Sequence, residues 1–271
     1  MNVLDVDFAK RFVRTAAEGW RQGWHECNGG NLSYRLRADE VAQVASCLHP
    51  GEWRPLAEGV RAPGVAGEHF LVTAAGSFFS NVEREPEACA GIIEVDRHGT
   101  AFRPCWGFVG QGRPTSELPS HLLNHAAKKE ATEGASRVVY HAHPANLVAL
   151  TFVLPLEGKA FTRELWKAIS ECALVFPAGV GVLEWMNPGS VELGRASAEL
   201  MRDHDAVVWA HHGIICAGDT FDQAFGLLHT VEKASEILVK VRSMQPEARS
   251  FITDENIRAM SDAYNLGIDL A

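Results

Sequence analysis

The sequence lacks the features that would mark it as a membrane, secreted or nucleotide-binding protein. None of its apolar runs approaches the length of about 18 residues that a membrane-spanning helix requires. Residues 1–7 lack the basic segment and the apolar core of a signal peptide. There is no glycine-rich dinucleotide fingerprint after a strand and no phosphate-binding P-loop. The expectation is therefore a soluble globular protein with no membrane partner.

An excess of positive charge is also missing. The 271-residue chain has 34 acidic and 25 basic residues and a net charge of −9, so bulk electrostatics do not favour nucleic acid or an anionic membrane as a partner. A phosphorylated small molecule remains possible, because local hydrogen-bond donors decide such binding. The six cysteines are scattered without a CxxC pair, which predicts free thiols and a cytoplasmic location.

Apolar periodicity and turn residues predict an alternation of helices and short strands around a surface loop at residues 47–67. The predicted helices cover residues 7–24, 114–129, 144–152, 162–170, 190–204, 219–243 and 253–265. The predicted strands cover residues 32–36, 69–73, 92–95, 101–102, 106–108, 137–143, 172–176, 206–210 and 214–217. This order favours an α/β fold with a central mixed, largely antiparallel sheet flanked by helices, in one catalytic domain over residues 1–271.

A histidine pair is the most informative local pattern. His141 and His143 are two positions apart on a predicted strand, so their side chains point to the same face and can reach one metal ion. A third imidazole, from His212, would complete the set. His211 competes with it, and only one of these neighbours can serve. Three neutral nitrogens leave an open coordination position, which is typical of catalytic rather than structural zinc.

Carboxylates and small hydrogen-bond donors accompany the histidines. Glu117 lies near a predicted helix start, with Thr115 or Ser116 as the cap, and Glu171 lies between a predicted helix and a predicted strand. The donors lie in predicted turns or at that helix start: Asn28, Gly29, Gly30, Asn31, Gly76, Ser77, Thr115 and Ser116. Singly, these are ordinary turn, cap and solvated residues. His121 and His125, four apart on a predicted helix, are interpreted as surface or packing residues.

Together, these groups describe a workable site. Glycine turns, hydroxyls and a helix start can hold a phosphate without a basic side chain. A tri-histidine metal can polarise a ketone, and a nearby carboxylate can remove the adjacent proton. The sequence therefore predicts proton abstraction next to the carbonyl of a small phosphorylated ketose.

With these residues the chain resembles the class II aldolase/adducin family of metal-dependent sugar-phosphate aldolases and epimerases. The resemblance covers nearly the whole chain. The residues that carry it lie in these segments: 23–24, 28–32, 106–107, 114–119, 141–143, 146–147, 161–163, 171–172, 175–177, 212–213 and 225–227.

The resemblance implies roles for the residues. His141, His143 and His212 would bind Zn²⁺, and cobalt or manganese would also accept such ligands. Glu117 would exchange the proton at C1 of dihydroxyacetone phosphate, and Glu171 from a neighbouring subunit would help with the aldehyde. The remaining donors, above all Asn28, Asn31, Thr115 and Ser116, would hold the phosphate, with a Gly30 backbone contact. Cyclic homotetramers with active sites at subunit interfaces are implied as well.

One position departs from the family pattern. The loop after the third strand usually presents a serine before glycine, and here Ala75 precedes Gly76, with Ser77 as the nearest hydroxyl. Substrate preference is therefore open, and the alternatives are a related aldolase acting on a different sugar phosphate or a 4-epimerase acting on pentulose phosphates. A non-catalytic module like the adducin head is a third possibility, although it should lack one or more of the three histidines.

Overall fold

The computed structural model describes residues 2–110, 112–245, 248–268 and 270. Within these residues, nine strands form one sheet: β1 Asn31–Arg35, β2 Arg54–Pro55, β3 His69–Thr73, β4 Ala90–Val95, β5 Ala101–Gly107, β6 Val138–Ala142, β7 Gly181–Leu183, β8 Ala206–Trp209 and β9 Gly213–Gly218. Their order across the sheet is β2-β5-β4-β3-β1-β6-β9-β8-β7. All neighbours pair antiparallel except β7 and β8, so the predicted mixed, largely antiparallel sheet is confirmed.

Ten α-helices surround the sheet in the described part of the chain: α1 Asp7–Arg21, α2 Ala38–Val44, α3 Pro86–Cys89, α4 Leu118–Ala131, α5 Ala145–Leu150, α6 Gly158–Ala168, α7 Glu171–Val175, α8 Val191–Leu200, α9 Phe221–Met244 and α10 Asp254–Tyr264. Short 3-10 turns lie at Val3–Asp5, Ala45–Cys47, Pro63–Val65 and Phe79–Asn81. Among the helices described, none is both long and apolar enough to cross a membrane.

Each central strand sends alternate side chains to two helical layers. On β6, Val138 and Tyr140 belong to the cluster that includes residues of α1, α5, α6 and α9. Val139 packs on the opposite face, with residues of α4 and α8. His141 shares that second face because side chains two apart on a strand point the same way. The face covered by α4 and α8 is therefore the one that carries the first predicted metal ligand.

Strand β1 presents polar residues to the same face. Leu32 and Tyr34 pack in the large cluster with α1 and α9. Asn31 and Ser33 point the other way and bond to side chains of α4 and its start. Both polar residues are buried, so β1 and α4 contact each other through polar side chains inside the sheet–helix interface.

The prediction of a strand at residues 172–176 is wrong, because residues 172–175 lie in α7 and Phe176 follows its end. Cys172 and Ala173 are buried while Leu174 and Val175 are exposed, which is a helical rather than an alternating pattern. The apolar run was too short for periodicity to separate the two structures. Glu171 therefore starts a helix instead of preceding a strand.

The start of α4 also differs from the prediction. The helix begins at Leu118, and neither Thr115 nor Ser116 caps it. The chain before it stays extended, because Pro114 bridges Ala74 and the Thr115 N–H donates to the Thr73 carbonyl over 2.9 Å. Consequently Glu117 stands at the cap position, where the chain turns from the sheet edge into the helix.

Other boundaries differ without changing the architecture. The two strands predicted at 101–102 and 106–108 are one strand, β5, and α1 ends at Arg21 before Gly23, whose φ is +78°. Four elements were not predicted: α2, α3, β2 and β7. All are short, and β2 and β7 have only two and three residues, which is too few for an alternation to show.

Candidate active site

Three histidine rings meet beside the ends of β6 and β9. Ring nitrogens of His141, His143 and His212 all lie within 4.8 Å of one another. His141 comes from β6, His143 follows that strand by one residue, and His212 precedes β9. Since β6 and β9 pair with Ala142 opposite Ile214, the sheet register brings together residues that are far apart in sequence. Three ligands close enough to share one ion are therefore present.

Hydrogen bonds fix the orientation of two of these rings. The Nδ1 of His141 donates to the Ile214 carbonyl over 2.9 Å, and the Nδ1 of His143 donates to Glu26 Oε1 over 2.6 Å. In neutral rings this leaves lone pairs on both Nε2 atoms, which face each other at 3.1 Å. Two lone pairs at this distance repel unless a cation lies between them. Tetrahedral ligands at zinc are about 3.3 Å apart, given bonds of about 2.0–2.1 Å.

The protonation states also suit a metal. Burial, reinforced by the neighbouring histidines, lowers the pKa of His141 well below its usual value. Burial and His143 lower the pKa of His212 to about 4. Neutral imidazole is the form that binds a cation. The Nδ1 of His212 is buried and has no hydrogen-bond partner among the described residues. The residues present thus fit a divalent ion.

The structure separates His211 from His212. His211 has a φ of +60° in the turn between β8 and β9, and its ring packs against Phe152 in a tilted arrangement with a centroid distance of 4.3 Å. Its Nδ1 lies 3.3 Å from the Thr151 hydroxyl. The ring of His212 lies 4.9 Å from that of His141 instead. Of the two competing residues, His212 is the one in the three-histidine group.

A second group of potential ligands is already occupied by an ion pair. Atoms of His69, Glu94 and Cys105 lie within 4.8 Å of one another on β3, β4 and β5. Arg103 donates to Glu94 Oε2 through Nε at 2.7 Å and lies within 2.6 Å through Nη2. Because this guanidinium neutralises the carboxylate, and burial raises the pKa of the Cys105 thiol to about 11, the group does not present the anions a metal needs.

Glu117 lies next to the three-histidine group. Its Oε2 is 3.7 Å from the Nε2 of His141 and accepts a 2.7 Å hydrogen bond from the Nδ2 of Asn31. Burial raises the pKa of this carboxyl, with the Asn31 hydrogen bond acting in the opposite direction. A carboxylate with a raised pKa is a stronger base than a solvated one. The site therefore combines a metal-ligand set with a proton acceptor.

The glycine turn at residues 28–30 packs directly against the histidines. A Cβ on Gly29 would lie 2.9 Å from the Nδ1 of His143, and one on Gly30 would lie 2.7 Å from the His141 carbonyl oxygen. Gly30 has a φ of +73°, a conformation that glycine adopts without strain. The backbone can approach the histidines this closely because neither glycine has a side chain.

The chain is similar to known proteins over most of its length. The family model described as Class II Aldolase and Adducin N-terminal domain matches residues 10–239. The chain belongs to this family. It is 40% identical over 264 residues to a protein named rhamnulose-1-phosphate aldolase from Klebsiella pneumoniae, covering 97% of this chain and 95% of that protein. It is 42% identical over 254 residues to a protein of the same name from Mannheimia succiniciproducens, covering 94% and 93%.

Solved structures show the same fold. A sugar-phosphate aldolase from Thermotoga maritima superposes with a TM-score of 0.75 at 28% identity, covering 90% of this chain and 98% of that one. The α/β architecture and its mixed sheet are therefore those of a class II aldolase.

Other predicted donors of this class II aldolase chain lie on segments that adjoin Glu117 or the histidines. Thr115 is buried beside Glu117, whose N–H donates to the Thr115 hydroxyl over 3.3 Å. Ser116 and Asn28 are exposed. Gly76, with a φ of +71°, follows Ala75, whose N–H donates to the Arg113 carbonyl over 3.2 Å. Strand β3 and the start of α4 therefore bring the turn at residues 74–77 next to Thr115.

For two predicted site residues, Ser77 and Glu171, the described part of the structure shows no hydrogen bond with Glu117 or the histidines. The Ser77 hydroxyl donates to the Ala74 carbonyl over 2.7 Å, so its single proton is engaged within the turn. Glu171 is exposed at the start of α7. In the part of the chain that the structure describes, Glu171 has no hydrogen bond or ion pair with another predicted site residue.

Sequence reasoning missed the residues that support the histidines. Glu26 holds the Nδ1 of His143, and Trp209 packs against His141 with ring centroids 4.5 Å apart. His25 supports the glycine turn: its Nδ1 lies 3.0 Å from the Gly29 carbonyl and its Nε2 lies 2.7 Å from the Tyr140 hydroxyl. The only signal for Glu26 and His25 was their position just before the turn at residues 28–31.

Proposed function

We propose that this chain is a metal-dependent aldolase that reversibly cleaves L-rhamnulose 1-phosphate to dihydroxyacetone phosphate and L-lactaldehyde, a step of L-rhamnose catabolism. The observation that carries the proposal is the placement of Glu117, which is buried and lies 3.7 Å from a metal-ligand candidate. The relatives at 40–42% identity, which bear this activity in their names, supply the substrate.

The metal ligands in this proposal are His141, His143 and His212, and the ion is Zn²⁺, one per subunit. The facing lone pairs of the first two rings, the buried Nδ1 of His212 and the lowered pKa values support this choice. When bound, the ion would supply Lewis-acid polarisation of the substrate's oxygens. Glu26 holds His143 in the tautomer that presents Nε2, as partners of ligating histidines generally do.

Glu117 handles the proton in both directions. In cleavage, the C3–C4 bond of the ketose breaks, the C4 hydroxyl loses its proton as the aldehyde forms, and the electron pair left on C3 takes a proton from Glu117. That carbon becomes the hydroxymethyl carbon of dihydroxyacetone phosphate. In synthesis, Glu117 removes the same proton. The raised pKa of its carboxyl suits both roles, because it must alternate between acid and base.

The phosphate is held by the turns and the start of α4. Asn28, Ser116 and Thr115 provide side-chain donors, Gly30 and Gly76 provide backbone, and Ser77 belongs to the same turn as Gly76. Asn31 has a second N–H beyond the one it gives to Glu117. Support comes from the close approach of the turn at residues 28–30 to His141 and His143 and from the bridge that brings Ala74 to Pro114, next to Thr115. Backbone N–H groups in such turns bind anions without basic side chains.

The remaining elements of the proposal concern the assembly. Glu171, exposed on α7, would act in the active site of a neighbouring subunit and accept the proton of the C4 hydroxyl. This requires a homotetramer with active sites between subunits. We also propose that residues 1–271 form one catalytic domain, which acts in the cytoplasm; the large core cluster runs from Val3 to Ile257, with Leu270 packed against it.

The experiment that tests the proposal measures dihydroxyacetone phosphate release from L-rhamnulose 1-phosphate by the purified protein, together with its metal content. Release that a chelator abolishes and Zn²⁺ restores is the expected result. Bound metal without release would reject this substrate, and ribulose 5-phosphate would then be assayed for epimerisation. Absence of stoichiometric metal would reject the metal-dependent mechanism.

A further inference from the structure

A line of buried side chains leads away from Glu117 into the interface between β1 and α4. Glu117 accepts a 2.7 Å hydrogen bond from Asn31, and Asn31 in turn meets the Nε2 of His121 through its Oδ1. The Ser33 hydroxyl lies 2.6 Å from the Nδ1 of His121 and 2.8 Å from the Nε2 of His125. None of these five residues is more than 7% exposed.

The periodicities of the two elements produce this alignment. Asn31 and Ser33 are two apart on a strand and share one face. Glu117, His121 and His125 are spaced by four, so they lie along one side of α4 and its start. The strand and helix faces pack together, and each polar residue on one finds its partner on the other.

The direction of every hydrogen bond follows from the carboxylate. An ionised Glu117 only accepts, so Asn31 must present its NH₂ to Glu117 and its carbonyl oxygen to His121. His121 must then donate through Nε2 and accept through Nδ1 from the Ser33 hydroxyl. Ser33 in turn accepts from the Nε2–H of His125. All four donors thus point towards Glu117.

Both histidines are neutral in this arrangement. Burial lowers the pKa of His121 to about 3 and that of His125 well below its usual value. A neutral ring has one donor and one acceptor nitrogen, which is what the sequence of bonds requires of His121. Since the Nδ1 of His125 is buried without a partner among the described residues, the line of side chains ends there.

Packing alone does not require these residues. Apolar side chains of similar volume would fill the same interface, whereas buried polar groups are tolerated only when every partner is in place. One end of the line contacts the base of the proposed reaction. The other end contacts only the interior.

We propose that His121 and Ser33 are positioning residues that hold the Asn31 carboxamide with its NH₂ directed at Glu117, which keeps the carboxylate beside the three-histidine group. The inference rests on the proposed role of Glu117 and adds residues that touch neither substrate nor metal. His121 donates a hydrogen bond to the Asn31 amide oxygen and so fixes the orientation of the amide. Ser33 donates to the Nδ1 of His121 and so fixes the tautomer of that ring.

The test compares four variants for turnover, KM, metal content and thermal midpoint. His121→Leu removes the donor to Asn31, and we expect kcat to fall about 10- to 100-fold with KM changed less than about threefold, since this loosens the buried Asn31 hydrogen bond to Glu117, the group that acts in the chemical step. His121→Gln, whose amide NH₂ can donate in place of Nε2, should recover most of that loss. Ser33→Ala should give a smaller fall in kcat than His121→Leu.

Asn124→Leu is the matched control. Asn124 lies on the same helix and is equally buried. It donates to the Ser120 carbonyl over 2.7 Å rather than to any of the five hydrogen-bonded residues. We expect an unchanged kcat even if the thermal midpoint falls. Equal losses of kcat in His121→Leu and Asn124→Leu, at matched folded fraction, would overturn the proposal, as would failure of His121→Gln to recover activity.

Crystal structures of the same variants give a readout that does not depend on activity. In His121→Leu, the Asn31 side chain should leave Glu117 while the β1 backbone stays in place, and in His121→Gln it should remain. An Asn31 that keeps its contact with Glu117 in His121→Leu would reject the positioning role. If wild-type protein released no dihydroxyacetone phosphate, the proposed function would fail, and this structural comparison would still decide whether the line orients Glu117.

Discussion

Asn31 donates a 2.7 Å hydrogen bond to Glu117, although 86 positions separate them in the sequence. The bond crosses from the central sheet to the start of α4 and is buried at both ends. It opposes the effect of burial on the Glu117 carboxyl, which would otherwise raise the pKa further. The strength of the proposed base is thus set by a strand residue as well as by its own surroundings.

Replacing Glu117 separates catalysis from metal binding. We expect Glu117→Gln to lower kcat by about 10²- to 10⁴-fold, the usual contribution of a general base, because the amide cannot take a proton. Metal content should stay near that of the wild type, since the three histidines are intact. Glu130→Gln, an exposed change at the other end of α4, is the control and should leave kcat unchanged. Intact activity in Glu117→Gln would show that another group is the base.

The family usually has a serine where this chain has Ala75, before Gly76. Replacing Ala75 by serine tests whether the missing hydroxyl weakens phosphate binding. We expect Ala75→Ser to tighten inhibition by inorganic phosphate about tenfold or more, because a hydrogen bond to a charged group contributes about 1.5–3 kcal/mol. Ser77 cannot replace it as a donor while its proton engages Ala74. Ala66→Ser, in a different turn, should leave phosphate inhibition unchanged. An unchanged inhibition constant in Ala75→Ser would mean that the turn does not contact phosphate.

The sequence predicted those site features that depend on the alternation of side chains along a strand. His141 and His143 share a face because strand side chains alternate, and the sheet confirms that placement through the β6–β9 register. The mixed sheet was predictable from the spacing of strands and helices. The strand predicted at residues 172–176 was wrong because five apolar residues fit either structure, and the choice depends on neighbours that the sequence does not show.

Residues that act through long-range contacts could not be predicted in this way. Glu26 and His143 are 117 positions apart, and no local pattern connects them. His121 and His125 were interpreted as surface or packing residues; both are buried, and their bonds to Ser33 depend on the helix lying across β1. Such pairings arise only when the elements dock, so periodicity places each residue on a face without revealing its partner.

Gly30 should tolerate substitution much less than another left-handed glycine. Gly30→Ala forces a Cβ to within 2.7 Å of the His141 carbonyl, in addition to the cost of a positive φ. Gly67 has a φ of +76° and no atom within 4 Å of a Cβ. We expect Gly67→Ala to lower the free energy of unfolding by about 1–2 kcal/mol and Gly30→Ala by about 1–3 kcal/mol more, measured by urea denaturation. Equal losses would show that the turn moves away from His141 freely.

Removing the metal should destabilise the protein as well as inactivate it. A ligand at about 100 times its dissociation constant stabilises the folded state by about 2.7 kcal/mol, so chelation should lower the thermal midpoint. His143→Ala should already show the lower midpoint and should respond little to chelator. His98→Ala removes an exposed histidine outside the site and should behave like the wild type. A chelator-induced shift of the same size in His143→Ala would place the metal elsewhere.

Acid should unfold the protein partly through its buried neutral histidines. Burial, and to a lesser extent His121, Arg35 and Arg137, lowers the pKa of folded His125, while in the unfolded chain the ring titrates near about 6.5. Below about pH 6.5 the unfolded state therefore binds a proton that the folded state does not bind. The stability that His125 contributes is complete above about pH 6.5 and is lost as pH falls below that value.

The variant His125→Gln tests this linkage, since the amide can still donate to Ser33 but does not titrate. Between about pH 5.5 and 4, the free energy of unfolding of the wild type should fall more steeply, by about 1.4 kcal/mol per pH unit, than that of the variant. Urea denaturation in the presence of chelator measures both slopes without contributions from metal release. Parallel slopes would mean that His125 binds its proton in the folded protein as readily as in the unfolded chain.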